Sequence, residues 1–177
     1  MRPIFLIGYM GCGKSTLGRN VAAITGMQFI DLDTYIESRY HASVTALFAD
    51  KGEAGFRDIE LRMLREVGEF EDVIVACGGG TPCFFDNMDY MNERGTTVLL
   101  DASVDRLFSR LKRGRHKRPL LAGKNDDELL AIINAGLEAR APFYSRAKCR
   151  FESDLLESSS EIGLTASKFI NQIILNR

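Results

Sequence analysis

Short, uninterrupted runs of apolar residues alternate along this chain with longer stretches in which apolar residues recur every three or four positions. The clearest of these runs lie at 3–7, 73–76 and 96–100, and two less apolar segments, 28–31 and 149–151, are also predicted to be strands. Continuous apolar runs of this length are typical of strands that are buried on both faces, as in a parallel sheet. Because the helical pattern lies between the runs, we predict a three-layer α/β/α domain with a five-stranded parallel sheet.

The helices are predicted from apolar stripes and from residues that start or end helices. Asn125, with Glu128 three residues later, has the pattern of a capping box, and Pro142 is expected to end or bend the helix that follows. Helices are predicted at 17–24, 34–40, 43–68, 104–111, from 125 to about 142, and 162–173. Residues 112–124 show no period and are rich in Gly, Lys and Arg, so we predict a loop or lid there.

Length and composition restrict the class of protein. With 177 residues, 45% of them hydrophobic and 27% charged, the chain 1–177 is predicted to form one globular domain. Its 23 Lys and Arg nearly balance 24 Asp and Glu, so the net charge of −1 indicates neither nucleic-acid nor membrane binding. The four cysteines show no C-x-x-C spacing, and we expect a reduced, cytoplasmic chain without a membrane span.

The strongest motif follows the first predicted strand. Residues Gly8 to Thr16 read GYMGCGKST and fit the phosphate-binding pattern G-x-x-x-x-G-K-[ST] at every fixed position. Glycines allow the backbone N–H groups to surround phosphate oxygens, and the following helix directs its positive end at the same anion. Lys14 is predicted to contact the transferred phosphates and Ser15 to bind Mg²⁺. The predicted nucleotide-binding residues are Gly11, Cys12, Gly13, Lys14, Ser15 and Thr16.

Two acids end the second predicted strand and suggest what happens beside this loop. Strand alternation predicts that Asp31 and Asp33 point to the same side, at the sheet edge where parallel-sheet proteins build their sites. One carboxylate could help to hold Mg²⁺, and the other could orient or deprotonate an attacking hydroxyl. Alternatively, Asp33 caps the helix that follows it. The chain lacks the D-x-x-G motif of a GTPase switch, and its small size favours a phosphotransferase acting on a small molecule.

Several motifs, in their order and spacing, together resemble the shikimate kinase family, and the resemblance extends from the N-terminus to about residue 150. They are the loop 8–16, Asp31-Leu32-Asp33, Phe56-Arg57, Gly78-Gly79-Gly80, Arg118-Pro119-Leu120-Leu121, and Arg140 with Tyr144. The resemblance implies a helical substrate-binding insertion at about 33–61 and a lid at about 112–124.

The resemblance also implies roles for individual residues. Asp33 would accept the proton of the attacking hydroxyl, and Asp31 would hold Mg²⁺ through water. The substrate carboxylate would lie between Arg57 and Arg140, whose planar guanidinium groups suit a carboxylate. Gly78, Gly79 and Gly80 would allow close approach of substrate, and Arg118 would reach the ATP phosphates as a catalytic residue together with Lys14 and Asp33.

Judged from the sequence alone, the two arginines have simpler interpretations. Arg57 has Glu53 four residues before it and Glu60 three after it, which is the spacing of ordinary ion pairs on a helix surface. Arg140 precedes a predicted helix end, where a positive charge is favourable.

A run of basic residues between Arg106 and Arg118 contains seven Lys or Arg and no acid. Such a run is typical of a solvated face, of a nucleic-acid patch, or of a loop that closes over a triphosphate. Phe108 is the one aromatic residue within it, which argues against RNA binding. Whether Arg110 or Arg113 contacts adenine stays open.

We therefore predict an ATP- and Mg²⁺-dependent kinase that converts shikimate to 3-phosphoshikimate on the route to the aromatic amino acids. We expect it to act as a monomer on small-molecule substrates, without nucleic acid or membrane. One alternative is another small-molecule kinase, acting on gluconate or a nucleoside monophosphate. The other is a nucleotide- or RNA-binding module without catalysis.

Overall fold

The computed structural model describes residues 1–114 and 121–175, and its centre is a five-stranded parallel sheet in the order β2-β3-β1-β4-β5. Every residue of β1 and of β3 is buried. Since successive side chains of a strand point to opposite faces, this burial shows that helices cover both faces of the sheet. The α/β fold and the five parallel strands predicted from the apolar runs are confirmed.

The elements alternate along the chain much as predicted. Their bounds are β1 Ile4–Ile7, α1 Lys14–Thr25, β2 Gln28–Asp31, α2 Leu32–Tyr40, α3 Val44–Val67, β3 Val73–Ala76, α4 Asn87–Arg94, β4 Thr96–Asp101, α5 Val104–Gly114, α6 Asp126–Tyr144, β5 Cys149–Glu152 and α7 Ser159–Phe169. A short 3₁₀ turn, Thr81–Cys83, precedes α4, and a π-helical segment, Ile170–Leu175, continues α7.

The register of the sheet brings three connecting loops to one edge. Asp31 at the end of β2 pairs with Ala76 at the end of β3, and Ala76 pairs with Leu6 of β1. Parallel strands place their carboxyl ends on the same side of a sheet. The phosphate-loop motif, the acids after β2 and the glycines after β3 therefore meet there.

The strand-alternation argument for Asp31 and Asp33 is wrong, because the two residues belong to different elements. Helix α2 begins at Leu32, two residues earlier than predicted, so Asp33 lies in its first turn. Asp31 is itself the helix cap, since its carboxylate accepts a hydrogen bond from the Thr34 N–H at 3.5 Å. The alternative that made Asp33 the cap is therefore also wrong.

Helix α3 fills most of the predicted range 43–68, with an interruption. At Gly52 the backbone has φ 66° and ψ 179°, a conformation that favours glycine and divides the helix. Helix α6 begins with the predicted capping box between Asn125 and Glu128 and ends two residues after Pro142. Helix α4 was not predicted, because few of its residues are apolar and they form no clear stripe.

The predicted loop or lid at 112–124 is only partly covered by the structure. Helix α5 continues to Gly114, three residues beyond its predicted end at Leu111. Arg118 lies outside the described residues, so its predicted contact with phosphate stays a prediction. Within residues 1–114 and 121–175, none of the helices is both long and apolar enough to cross a membrane.

Candidate active site

The loop after β1 has the backbone shape of a phosphate cradle. Gly8, Gly11 and Gly13 have φ angles of 139°, 83° and 100°, which side chains at Cβ would disfavour. A Cβ at Gly13 would also lie 2.3 Å from Leu156 Cδ1. Helix α1 starts at Lys14 with no side chain capping its first turn and no acid within it. Its N–H groups and positive end are therefore available to an anion.

Lys14 folds back over this loop. Its ammonium donates hydrogen bonds to the carbonyl oxygens of Gly8 at 2.8 Å and Tyr9 at 3.1 Å. The ammonium group therefore lies within the curve of the loop. There it can exchange these carbonyl oxygens for a phosphate oxygen without a large movement of the chain.

A cavity of about 340 Å³ opens above the loop, a size typical of small-molecule sites. Five of the six nucleotide-binding residues predicted in the loop line it, together with three residues that the sequence analysis did not assign. The lining residues are Gly11, Gly13, Lys14, Ser15, Thr16, Arg110, Leu156 and Glu157. Cys12 is the exception, and the residue is only 1% exposed.

Arg110 connects the phosphate loop to the segment after β5. Its guanidinium donates to Gly11 O at 3.2 Å, to the carbonyl oxygens of Ser153 and Asp154 at 3.0 and 2.8 Å, and to Glu157 at 2.7 Å. Arg110 and Arg113 together lower the pKa of Glu157 through hydrogen bonds to its carboxylate. Leu156 and Glu157 follow a strand at the same sheet edge, which is the signal that could have assigned them.

The basic run is partly neutralised in the folded chain. Arg110 and Arg113 share Glu157, and Lys112 pairs with Asp126 at 2.5 Å. These acids lie outside the run in the sequence, so the charge count overstated its positive surface. The pairing weakens the interpretation of the run as a nucleic-acid patch.

Ser15 and Asp31 come together beside the cavity. The Ser15 hydroxyl donates to Asp31 Oδ2 at 2.6 Å, which places two hard oxygen groups next to the phosphate loop. Within the described residues, no group of three or more His, Cys, Asp or Glu could hold a metal. Two protein oxygens suit Mg²⁺, which usually completes its coordination with phosphate and water.

The surroundings of the Asp33 carboxyl group raise its pKa. The residue is solvent-exposed, but its carboxylate faces Gly78, where a Cβ would lie 3.4 Å from Oδ1. Partial loss of hydration is the largest cause that raises its pKa from 3.8 to about 6, followed by the nearby charges of Asp31 and Glu60. The opposing effect of Lys14 is smaller. A carboxyl group with this pKa is ionised near neutral pH and can accept a proton.

Arg57 forms the ion pairs that its spacing suggested and also reaches the glycine turn. It donates to Glu60 Oε2 at 2.8 Å, and Glu60, 1% exposed, also accepts a hydrogen bond from Thr81 at 2.5 Å. A Cβ at Gly80 would lie 2.9 Å from Arg57 Nη2. The buried Arg57 Nε has no hydrogen-bond partner, and the Phe84 ring centre lies 4.0 Å from Cζ. The guanidinium is therefore held at this turn by charge and ring packing.

Arg140 approaches the same turn from α6. A Cβ at Gly79 would lie 3.0 Å from Arg140 Nη1, and the Tyr144 hydroxyl donates to Gly79 O at 2.7 Å. Burial raises the pKa of the Tyr144 phenol, and the adjacent Arg140 opposes that rise. Helix α6 continues to Tyr144 and has no basic residue in its last turn, so the interpretation of Arg140 as a charge at the helix end is wrong.

These residues define the chemistry that the edge of the sheet can perform. A phosphate cradle with its lysine lies on one side, a carboxyl group with a raised pKa lies at Asp33, and two guanidinium groups flank a glycine turn. The fold and the site together define a P-loop phosphotransferase for a small acceptor that carries a negative group.

Comparisons with known proteins identify the family. The shikimate kinase family profile matches residues 10–173, so the chain belongs to the shikimate kinase family, enzymes that transfer a phosphoryl group from ATP to shikimate. The chain is 57% identical over 162 residues to a shikimate kinase of Bacteroides fragilis, covering 92% of this chain and 90% of that protein. The family, fold class and enzymatic function predicted from the motifs are confirmed.

Solved structures agree with this assignment. A crystal structure of shikimate kinase from Bacteroides thetaiotaomicron, 47% identical, superposes with a TM-score of 0.91 and covers 99% of both chains. A shikimate kinase from Acinetobacter baumannii, solved in complex with shikimate, is 31% identical with a TM-score of 0.84, covering 100% of this chain and 95% of that one.

Proposed function

We propose that this chain phosphorylates the 3-hydroxyl of shikimate with Asp33 as the general base. The observation that carries this proposal is the position of Asp33, whose carboxylate faces Gly78 and whose neighbours include Lys14, Asp31 and Glu60. That position lies between the phosphate cradle and the glycine turn. An alcohol bound at the turn would present its hydroxyl to Asp33 and to the transferred phosphate at once.

The pKa of Asp33, about 6, suits this role. Above that pH the ionised carboxylate accepts the hydroxyl proton as the oxygen attacks phosphorus. The proton then resides on Asp33 until product leaves. A base whose pKa is close to the working pH combines a large ionised fraction with sufficient basicity.

Arg57 and Arg140 are proposed to hold the substrate carboxylate from two sides of the glycine turn. Both guanidinium groups come within about 3 Å of where side chains at Gly79 and Gly80 would begin, so only bare backbone leaves room for a ligand. Arg118, in the segment outside the described residues, is proposed to add positive charge to the transferred phosphates.

Ser15 and Asp31 are proposed to hold Mg²⁺, directly or through water. When bound, Mg²⁺ neutralises charge on the nucleotide phosphates. The short hydrogen bond between the two side chains holds their oxygen atoms together beside the cavity. All the proposed site residues belong to one chain, and we propose that the protein acts as a monomer.

The test is ADP formation by the purified chain with ATP and Mg²⁺, comparing shikimate, gluconate and CMP as acceptors. Of the three acceptors, we expect only shikimate to be phosphorylated. Product analysis should place the phosphate on the 3-hydroxyl. Turnover with gluconate or CMP but not shikimate would overturn the proposal. The matched control is Lys14→Ala, which should remove turnover with every acceptor.

A further inference from the structure

We propose that Tyr9, a residue of the phosphate loop, is a positioning residue for Arg140 and thereby sets the affinity for the acceptor's carboxylate. The proposal rests on the proposed role of Arg140 as a carboxylate-binding residue. The side chain of Tyr9, a residue of the nucleotide-binding loop, would thus help to bind the acceptor.

The Tyr9 ring is held in one orientation by helix α6. The side chain is 3% exposed, and its hydroxyl donates to Ile132 O at 3.2 Å. The ring packs directly on Gly136, where a Cβ would come within 2.6 Å of the ring carbon Cε2. Glycine at this position therefore makes room for the ring.

Arg140 follows Gly136 by four residues, so both lie on the same face of α6. Its Cζ lies 4.9 Å from the centre of the Tyr9 ring, which is the distance of a cation–π contact. On the opposite side, Gly79 comes so close that a Cβ there would be 3.0 Å from Nη1. Among the ion pairs of the described residues, none joins Arg140 to a carboxylate. The ring, the glycine turn and a hydrogen bond to the Tyr144 hydroxyl therefore orient its guanidinium and leave its charge available to a ligand.

The main chain of Tyr9 serves the nucleotide side of the site. Its carbonyl oxygen accepts a hydrogen bond from Lys14 at 3.1 Å, while its side chain contacts Arg140. One residue thus sets the separation between the lysine for phosphate and the arginine for the acceptor. Phosphoryl transfer is sensitive to that separation, because misplacement of about 1 Å can reduce the rate a hundredfold.

The experiment compares Tyr9→Phe with Tyr9→Leu in steady-state kinetics. Phenylalanine keeps the ring over Arg140, so the KM for shikimate should stay within about twofold of the parent value. Leucine removes the ring, and the loss of a partly buried cation–π contact should raise that KM by about fivefold to thirtyfold. The KM for ATP should change by less than about threefold. Phe70→Leu, at a partly buried ring between α3 and β3 on the sheet edge opposite the site, is the matched control and should change neither value.

A double-mutant cycle separates positioning from a general structural effect. Arg140→Ala alone should raise the KM for shikimate, and adding Tyr9→Leu to it should raise the KM no further. If the two penalties multiply, or if Tyr9→Leu leaves the KM for shikimate unchanged, the positioning role is overturned while the proposed function stands. If Arg140→Ala leaves the KM unchanged, the proposed carboxylate site itself fails, and the role of Tyr9 fails with it.

Should Tyr9→Leu not fold, Gly136→Ala provides the second variant. Its added methyl group displaces the ring from α6 while leaving Tyr9 and Arg140 in the chain. We expect the same selective increase in the KM for shikimate. An increase in the KM for ATP alone would overturn the proposal.

Discussion

Replacing Asp33 by Asn should abolish turnover and at the same time stabilise the ligand-free protein. The raised pKa of Asp33 means that the folded chain disfavours the charged carboxylate. Asparagine has nearly the same shape and is uncharged, so it removes this cost. It cannot accept the hydroxyl proton, and loss of a general base typically costs about 10²- to 10⁴-fold in rate.

The magnitude follows from the pKa of about 6 against the ordinary 3.8. That difference corresponds to at most about 3 kcal/mol. Because the residue is exposed, solvent screening reduces the expected gain to about 1 kcal/mol. For a chain of 177 residues, this raises the melting temperature by about 2–4 °C.

The gain should depend on pH in a defined direction. Below pH 3.8 Asp33 is protonated in both the folded and the unfolded chain, so the parent and the variant should be equally stable. Between pH 3.8 and about 6 the unfolded parent releases this proton while the folded parent retains it, so the stability of the parent relative to the variant is lost over this range. The variant's advantage should therefore be complete near pH 7.5 and nearly absent near pH 3.

The assay is thermal unfolding of both proteins at these two pH values, with the ADP assay run in parallel. Asp127→Asn is the control, because Asp127 lies in the first turn of α6, where a negative charge is favourable, so its removal should not stabilise. Equal melting temperatures of parent and Asp33→Asn at pH 7.5 would refute the electrostatic reasoning. Near-normal turnover would refute the catalytic role.

Three further predictions concern the surroundings of the site. Glu157→Gln weakens the ion pair that holds Arg110. It should raise the KM for ATP by about fivefold and leave the KM for shikimate unchanged. An unchanged KM for ATP would show that the ion pair is not needed for nucleotide binding. Gly79→Ala should raise the KM for shikimate and leave the KM for ATP unchanged, because the added methyl group contacts Arg140. Equal effects on both KM values would contradict this prediction. Asn125→Ala removes the α6 capping box and should lower the melting temperature by about 2–4 °C. Turnover at 25 °C should stay unchanged. A parallel loss of turnover would show that the cap also affects the active site.

Local pattern was sufficient for most of the fold, for a physical reason. Strands buried on both faces must be apolar throughout, so β1 and β3 appear in the sequence as unbroken apolar runs. Helix α6 was recognisable because Asn125 and Glu128 satisfy its first N–H groups from within four residues of chain. Helix α4 lacked both signals, and its position depends on packing against the rest of the chain.

The phosphate loop also depends on local chemistry, since glycine conformations and a lysine at fixed spacing are sufficient to specify it. The acids after β2 were harder, because a helix that begins at Leu32 changes the direction of Asp33 without any marked change in composition. Strand alternation therefore failed where β2 joins α2 without a loop.

The amino-acid sequence by itself determined the α/β architecture, the phosphate cradle and, through its resemblance to a family, the identity of the reaction. Only the tertiary structure decided that Arg110 is tied to Glu157, that Asp33 has a pKa of about 6, and that Tyr9 lies against Arg140. Tyr9 and Arg140 lie far apart in the chain, and ionisation depends on every charge nearby. Contacts and electric fields of this kind arise from folding in three dimensions and leave no periodic signal along the chain.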